Sequence, residues 1–399
     1  MLAPLLGLGQ ICSWGTLYYS FPLIALRMET ELGWSKSDLY AGATIGLFMT
    51  ALLSFPVGVA IDRGYGKWLM AGASGAAMLV MGWWSLTDHL LAFYVICALL
   101  GAIQAALLYE PAFAVFARHV GARHARQGIT HITLWGGLAS TVFIPITGLL
   151  IAIFDWRVTL LWLGGVNLIY GVIYLWLIQP AKDIEHAHNQ TQRRADIARD
   201  RQIVKDNLHN SLFWIILVAL TLYAGMFSAF TFHMYPLLLE GGLNKADVLI
   251  AIAVIGPMQV MGRYLVSIYA PGMPMRLLGS IVVAVFPLAF ALVIPTSSSF
   301  WLVAVVFATY GLANGIFTIV RGFVVPEMLS PHAYGALNGI ITIAATIARA
   351  VAPLAAAWIW AINQSYGLVM WAIVGSSLLL AASFWWAAWR TRGQVTSSP

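Results

Sequence analysis

Three ionisable residues stand well inside long apolar stretches of this sequence: Glu110, Arg321 and Arg349. A charged side chain within a membrane is costly unless it is paired or faces water, so each of the three is a candidate functional residue. A carboxylate can take up and release a proton, and a guanidinium can bind an anionic group. These residue types predict proton coupling at Glu110 and anion binding at Arg321 and Arg349. A permanent ion pair between Glu110 and Arg321 is the structural alternative.

Neutral side chains in the same apolar stretches could bind an organic solute. Three of them, in the first stretch, are spaced four residues apart and would share one face of a helix, where they could stack against a planar compound. Packing alone is the alternative for such a stripe. The predicted neutral binding residues are Gln10, Trp14, Tyr18, Gln259 and Asn314.

The stretches that carry these residues are long enough to cross a bilayer. The chain is 61% hydrophobic and only 9% charged, whereas a soluble domain is about 25% charged. About 20 apolar residues match the hydrocarbon core, and only a helix satisfies its own backbone there. The sequence therefore predicts an all-α polytopic membrane protein. We place twelve transmembrane helices near 2–26, 39–61, 68–87, 90–117, 127–154, 158–180, 211–239, 248–269, 276–297, 300–322, 336–362 and 366–389.

Lysine and arginine are distributed unevenly over the connections between these stretches. Connections on one side carry Arg63, Lys67, Arg118, Arg123, Arg126, Lys182, Arg193, Arg194, Arg199, Arg201, Lys205, Arg276, Arg390 and Arg392, whereas the other side carries only Arg27, Lys36, Arg157 and Lys245. The positive-inside rule then predicts that both termini are cytoplasmic, in a bacterial inner membrane. Because this asymmetry accounts for the net charge of +6, no nucleic-acid partner is expected.

Two short patterns recur at nearly one offset. The pattern Glu-x-Gly-x-x-Lys-x-Asp occupies 31–38 and again 240–247, and Gly-x-x-Gln at 101–104 is echoed by Gly-x-x-Asn at 311–314. Together they indicate a duplicated six-helix unit, as in one large class of secondary transporters. We predict bundles at 1–180 and 211–399, joined by a solvated, partly helical linker at 181–210.

The connection between the second and third stretches reads Gly58-Val-Ala-Ile-Asp62-Arg63-Gly64-Tyr65-Gly66-Lys67. It resembles the loop signature of the major facilitator superfamily, Gly-x-x-x-Asp-Arg-x-Gly-Arg-Lys, expanded by one residue. The resemblance implies two pseudo-symmetric six-helix bundles that alternate access to a central cavity lined by helices 1, 4, 7 and 10, in a monomer. It would place Glu110 opposite Arg321. We assign gating to Gly58, which would permit close helix packing, and to Asp62, Arg63, Lys67 and Arg263.

Other strings resemble a finer bacterial branch that includes copper-importing and riboflavin-importing permeases. They are Gln10–Gly15, Leu108–Phe113, Gly136–Thr141 with Pro145, Gly256–Val260 and Arg321-Gly322. The copper importers carry Met-x-x-x-Met and His-x-x-x-Met in helices seven and eight. Here the matching positions keep only Met226 and Met258, which are weak alternative copper ligands, since thioethers suit Cu(I). No other metal site and no cofactor is expected.

The motifs favour a secondary active transporter of a small planar or anionic organic solute, proton-coupled through Glu110. No Walker-type phosphate-binding loop occurs, so ATP-driven pumping has no support. Neither a Gly-x-Ser-x-Gly string nor a clustered pair of acids is present, so an enzyme is not expected. A copper importer is the first alternative, and a non-transporting membrane sensor is a remote one.

Overall fold

The chain consists of long apolar helices, and short connections between them reverse its direction. The computed structural model describes residues 2–120, 122–178, 202–270, 272–296, 298–330 and 334–392. The helices are α1 (Leu2–Trp14), α2 (Phe21–Leu32), α3 (Lys36–Ala60), α4 (Gly66–Ser85), α5 (Leu90–Leu107), α6 (Tyr109–Val120), α7 (Ala122–Gly136), α8 (Ala139–Ile153), α9 (Trp156–Leu177), α10 (202–209), α11 (Ser211–Glu240), α12 (Lys245–Ala253), α13 (Ile255–Tyr269), α14 (Met275–Thr296), α15 (Phe300–Met328), α16 (Tyr334–Asn363) and α17 (Tyr366–Arg390). Short π-helical segments occupy Gly15–Tyr19 and Ile61–Tyr65.

The helices follow the predicted membrane spans. Ten helical segments among the described residues are long and apolar enough to cross a membrane, and α4 and the combined α1–α2 segment supply the other two. Large apolar side chains such as Leu79, Leu91, Trp176 and Trp301 are mostly exposed on the outside of the bundle, as lipid-facing side chains are. The all-α polytopic class is confirmed. Most of the predicted linker lies outside the described residues, apart from α10.

The described helices pack in two related sets. In the first, α3 lies against α5, α4 against α9 and α1 against α7; in the second, α13 lies against α15, and α14 and α11 against α17. Gly101 packs against the backbone of Gly46, and Gly311 packs against the backbone of Ile255 at the corresponding crossing of the second set. The sets meet where α3 runs along α16 and α8 touches α12 and α13.

The repeated Glu-x-Gly-x-x-Lys-x-Asp pattern builds the same turn twice. In the first copy, Glu31 accepts a 2.7 Å hydrogen bond from the indole of Trp156. Gly33 then takes a left-handed conformation at φ +69°, which glycine adopts without steric penalty. Ser35 and Asp38 form a reciprocal capping box that starts α3.

The second copy uses the same residue types. Glu240 accepts a 3.0 Å bond from the indole of Trp360 and a 2.8 Å bond from the first backbone N–H of α17. Gly242 is left-handed at φ +99°, and Asn244 caps α12 through the Asp247 N–H. We call the end of the bundle that carries these two turns the distal end, and the opposite end, where α9 stops and α11 starts, the linker end.

A tight helix crossing yields a stability prediction. A Cβ atom on Gly101 would lie 2.7 and 2.9 Å from the carbonyl carbon and Cα of Gly46, so α3 and α5 would have to move apart. Gly101→Ala should lower stability by about 1–3 kcal/mol, the usual effect of overpacking. Gly75→Ala is the matched control because nothing lies within 4 Å of its Cβ position. Thermal unfolding of the detergent-solubilised protein compares them, and equal midpoints would contradict the assigned close contact.

Candidate functional site

A break in the fourth span places Tyr109 and Glu110. α5 ends at Leu107, and Leu108 is extended at φ −72°, ψ −159°. Pro111 sits in the first turn of α6, where its missing N–H has no helical partner to lose. Glu110 therefore stands at the N-terminus of a helix, where the helix dipole favours a negative charge.

Gln10 holds this break rather than lining a cavity. Its side chain is completely buried, and its Nε2 donates a 2.9 Å hydrogen bond to the Leu107 carbonyl at the end of α5. Its role in the structure is to fix α1 against the point where the fourth span bends.

The π-helical segment between α1 and α2 is stabilised by amides from two other helices. Gln104 donates to the Leu17 carbonyl at 2.8 Å, and Asn167 donates to the Thr16 hydroxyl at 2.8 Å. Such π-helical turns are rare and often occur at functional sites. Tyr18, within this segment, is only 2% exposed.

Half-buried aromatic rings from α1, the π-helical segment and α6 form one surface, which we call the aromatic wall: Trp14, Tyr19, Tyr109 and Phe113. Ring centroids lie 5.2 Å apart between Trp14 and Tyr109, and 6.3 Å apart between Trp14 and Tyr19. Tyr109 stacks on Phe113 at 5.3 Å. The Nε1 of Trp14 is buried and has no hydrogen-bond acceptor among the described residues. Sequence reasoning singled out Trp14 but not the other three, although the i, i+4 spacing of Tyr109 and Phe113 was visible.

Three arginines of the second helix set lie near this wall; we call Arg263, Arg321 and Arg349 the arginine cluster. Tyr223 on α11 interacts electrostatically with all three, which places them around one region. Its hydroxyl donates a 2.6 Å hydrogen bond to Asn314 Oδ1.

The members of the arginine cluster differ in their partners. Arg263 donates to the Thr133 carbonyl at 2.9 Å, across the two helix sets, and to the Thr318 hydroxyl at 3.2 Å. Arg321 is exposed although it stands within the bundle. Arg349 is half-buried, and its Nε is buried without an acceptor among the described residues.

Glu110 and Arg321 do not form a permanent ion pair. Arg321 is attracted by Glu110 and repelled by Arg349, and the Glu110 side chain is exposed. Direct ion pairs among the described residues join Lys36 to Glu29 and Arg157 to Glu31 and Asp88, and none joins Glu110 to Arg321. The carboxylate is thus close enough to interact with the arginine charge without a direct ion pair to it.

The other predicted binding residues are mostly buried. Gln259 is 8% exposed and Met226 is 3% exposed, whereas Met258 is half-buried beside Gly311. Within the described part of the chain, no group of three His, Cys, Asp or Glu side chains could hold a metal ion.

The predicted gating loop is a π-helical turn. Gly64 has φ +88°, so the extra residue of this loop is accommodated by a left-handed glycine. Nothing lies within 4 Å of the Cβ position of Gly58, so the expected reason for that glycine, close helix packing, is wrong. Arg63 is exposed and the Lys67 ammonium is 5.6 Å from the Trp68 ring; the side chain of Asp62 lies outside the description.

Contacts between the two helix sets close the distal end. Tyr40 donates to the Phe232 carbonyl at 2.8 Å and stacks on His233 at 4.1 Å. Near the surface, the Lys36 ammonium sits 3.3 Å from the centre of the Trp360 ring, a cation–π contact. Arg321 and Glu110 are both exposed, and they lie in the half of the bundle nearer the linker end.

The comparisons with known proteins agree with this architecture. The family model described as Major Facilitator Superfamily matches residues 6–353. Among curated proteins, no relative matches this sequence. The structure is similar to the nucleoside transporter NupG, with a TM-score of 0.76 and 15% identity over 97% of this chain and 98% of that one.

Two other solved transporters share the fold. A bacterial homologue of the human lysosomal transporter Spinster, in an inward-facing and unoccupied conformation, has a TM-score of 0.69 and 13% identity over 99% of this chain and 98% of that one. A D-xylose-proton symporter has a TM-score of 0.70 and 13% identity over 96% of both chains. These identities show the fold alone. The matched family and the twelve-helix membrane architecture identify the chain as a secondary transporter, not an enzyme, that belongs to the major facilitator superfamily.

Proposed function

We propose that this protein transports an organic anion together with protons by alternating access. The observation that carries the proposal is the arginine cluster, three cationic side chains that all interact with Tyr223, with Glu110 as the acidic side chain that interacts with Arg321. Such a cluster attracts anions, and the buried, unpartnered Nε of Arg349 supplies a donor that a bound acid would satisfy.

The placement of Glu110 supports coupling to protons. Glu110 interacts electrostatically with Arg321. A substrate anion bound at Arg321 would repel a negative charge on Glu110. Anion and proton therefore bind cooperatively, which is the requirement for symport.

The charge distribution over the connections supports a bacterial inner-membrane protein with both termini in the cytoplasm. In that orientation the distal end is external, and the half of the bundle that carries the exposed Glu110 and Arg321 is on the cytoplasmic side. We expect the protein to act as a monomer. The finer resemblance to copper and riboflavin permeases leaves Cu(I) as an alternative cargo, and the buried position of Met226 does not favour it.

Proteoliposomes containing a trapped pH-sensitive dye test the proposal. Addition of a panel of organic anions should acidify the vesicle interior for at least one member, relative to protein-free vesicles. The panel should contain dicarboxylates and sulfonates, because weak monocarboxylic acids cross lipid unaided. Absence of protein-dependent proton movement over the whole panel would contradict anion–proton symport.

The distal closure gives a prediction about alternating access. Trp360→Leu removes the ring under Lys36, so the distal end should open more often. Ser228, which is completely buried behind the closure, can be replaced by cysteine in a chain without Cys12 and Cys97. An impermeant maleimide added to intact cells should then label this cysteine at least threefold faster in Trp360→Leu, since a desolvated cation–π contact stabilises by about 1–2 kcal/mol.

Trp358→Leu is the matched control, because Trp358 is 58% exposed on the same helix. It should leave the labelling rate unchanged. Equal acceleration by both substitutions would mean that the effect comes from general destabilisation of α16. Unchanged labelling in Trp360→Leu would show that the contact between Lys36 and Trp360 does not hold the distal end closed.

A further inference from the structure

The aromatic wall and the arginine cluster belong to different helix sets but lie close enough to interact with each other. Tyr109 of the wall interacts electrostatically with Arg263 and Arg321, and Tyr19 of the wall interacts with Arg349. A flat ring and a charged group on one solute can therefore be held at the same time, the ring by α1 and α6 and the charge by α15 and α16.

Two donors in these surfaces are left without partners. Trp14 Nε1 and Arg349 Nε are both buried, and neither has an acceptor among the described residues. An unsatisfied buried donor costs about 1–3 kcal/mol, more when charged, so both are best explained by a ligand that brings acceptor oxygens. The two unpartnered donors are independent observations, because Trp14 belongs to the first helix set and Arg349 to the second.

The charge of the arginine cluster indicates how many negative charges the ligand carries. Arg321 and Arg349 repel each other, and among the residues that the structure describes Glu110 is the carboxylate that interacts with Arg321. Arg263 adds a third positive charge, whose described hydrogen bonds go to carbonyl and hydroxyl oxygens that do not neutralise it. With Glu110 ionised the cluster carries two uncompensated positive charges, and with Glu110 protonated, as the proposed symport requires when the anion is bound, it carries three.

We propose that the transported solute is an aromatic dianion, a planar ring bearing two acidic groups. This inference rests on the proposed function and narrows its substrate class. The ring packs on Trp14 and Tyr109, one acidic group binds Arg349, and the other binds Arg321. A monoanion would leave one arginine facing the other without compensation.

Four related compounds separate the two parts of the proposal in a binding experiment. Isophthalate has a ring and two carboxylates; glutarate holds two carboxylates at the same chain spacing without the ring; benzoate has a ring and one carboxylate; benzamide is neutral. Binding is measured as the ligand-dependent shift of the thermal unfolding midpoint of detergent-solubilised protein. Isophthalate should bind at least tenfold more tightly than benzoate and about threefold to tenfold more tightly than glutarate, as expected for one further charged hydrogen bond and for ring stacking.

Substitutions should remove these two preferences separately. Arg349→Gln should reduce the preference for isophthalate over benzoate to near unity, and Arg349→Lys, which keeps the charge but lacks Nε, should restore part of it. Trp14→Leu should remove the preference for isophthalate over glutarate while the charge preference persists. Arg390→Gln, at the linker end of α17, is the control, and the unfolding midpoint without ligand checks that each variant folds.

The outcomes decide the proposal. Equal binding of benzoate and isophthalate to the unsubstituted protein, or a charge preference that survives Arg349→Gln, would overturn the dianion assignment. Binding of none of the four compounds would overturn the substrate class. If organic anions still drove proton movement in vesicles in that case, the proposed function would stand; if isophthalate bound but no anion moved protons, the proposed symport would be wrong and the ligand assignment would stand.

Discussion

Replacing Glu110 by glutamine should abolish proton-driven accumulation and leave substrate exchange intact. The amide is nearly isosteric but cannot take up a proton, and the wild-type side chain is exposed in the cavity, so folding should be unaffected. We expect at least a tenfold loss of isophthalate accumulation driven by a pH gradient in proteoliposomes. Exchange of internal for external isophthalate should stay within about twofold of wild type, since it needs no net proton transfer.

Glu327→Gln is a suitable control for this experiment. Glu327, near the end of α15, is also exposed, but its carboxylate accepts from the N–H of Met275, the first residue of α14. It should retain gradient-driven accumulation. Full gradient-driven accumulation in Glu110→Gln would show that this carboxylate does not take part in proton coupling.

Replacing Arg321 by methionine should reduce organic-anion uptake about a hundredfold. Methionine keeps an unbranched side chain but removes the charge, and loss of one partner of a charged hydrogen-bonded pair costs about 2–5 kcal/mol. Initial rates of isophthalate uptake, with protein amount and unfolding midpoint matched, measure the effect.

The same uptake measurements distinguish between an organic anion and copper as the transported cargo. Met226→Leu and Met258→Leu preserve volume and polarity class, so both should transport the organic anion at nearly the wild-type rate. If these two variants instead lost cellular copper accumulation while Arg321→Met had no effect on any cargo, the copper alternative would replace the organic anion.

The sequence predicted the membrane architecture well because lipid constrains it strongly. Spans of about 20 apolar residues have one structural solution in a bilayer, the helix. The repeated turn pattern contains the residues that cap the following helix in both copies, so the pattern and the structure it forms are directly related. The tenth membrane span, predicted at 300–322, is longer than expected, since its helix, α15, continues to Met328. Its apolar signal weakens after Arg321, but the helix persists inside the bundle, where Val324 and Val325 are fully buried.

The site was harder to predict because its shape depends on contacts between distant helices. The stripe expected from Gln10, Trp14 and Tyr18 assumes a regular helix, whereas hydrogen bonds from Gln104 and Asn167 stabilise a π-helical segment there. Only Trp14 of the three is exposed enough to meet a solute. The arginines were identifiable from sequence since charges in apolar spans are rare, but their mutual interaction required the fold.

The two hydrogen bonds that join the helix sets near the distal end differ in how easily a substitution on each side can remove them. Tyr40 and Thr44 of the first helix set donate to main-chain oxygens of the second, those of Phe232 and Ala350. Every residue carries such an oxygen, so a codon change at Phe232 or Ala350 cannot by itself delete the acceptor, whereas Tyr40→Phe or Thr44→Val deletes a donor outright. Suppressor substitutions that act by removing these two hydrogen bonds should therefore lie in the amino-terminal half, at Tyr40 and Thr44.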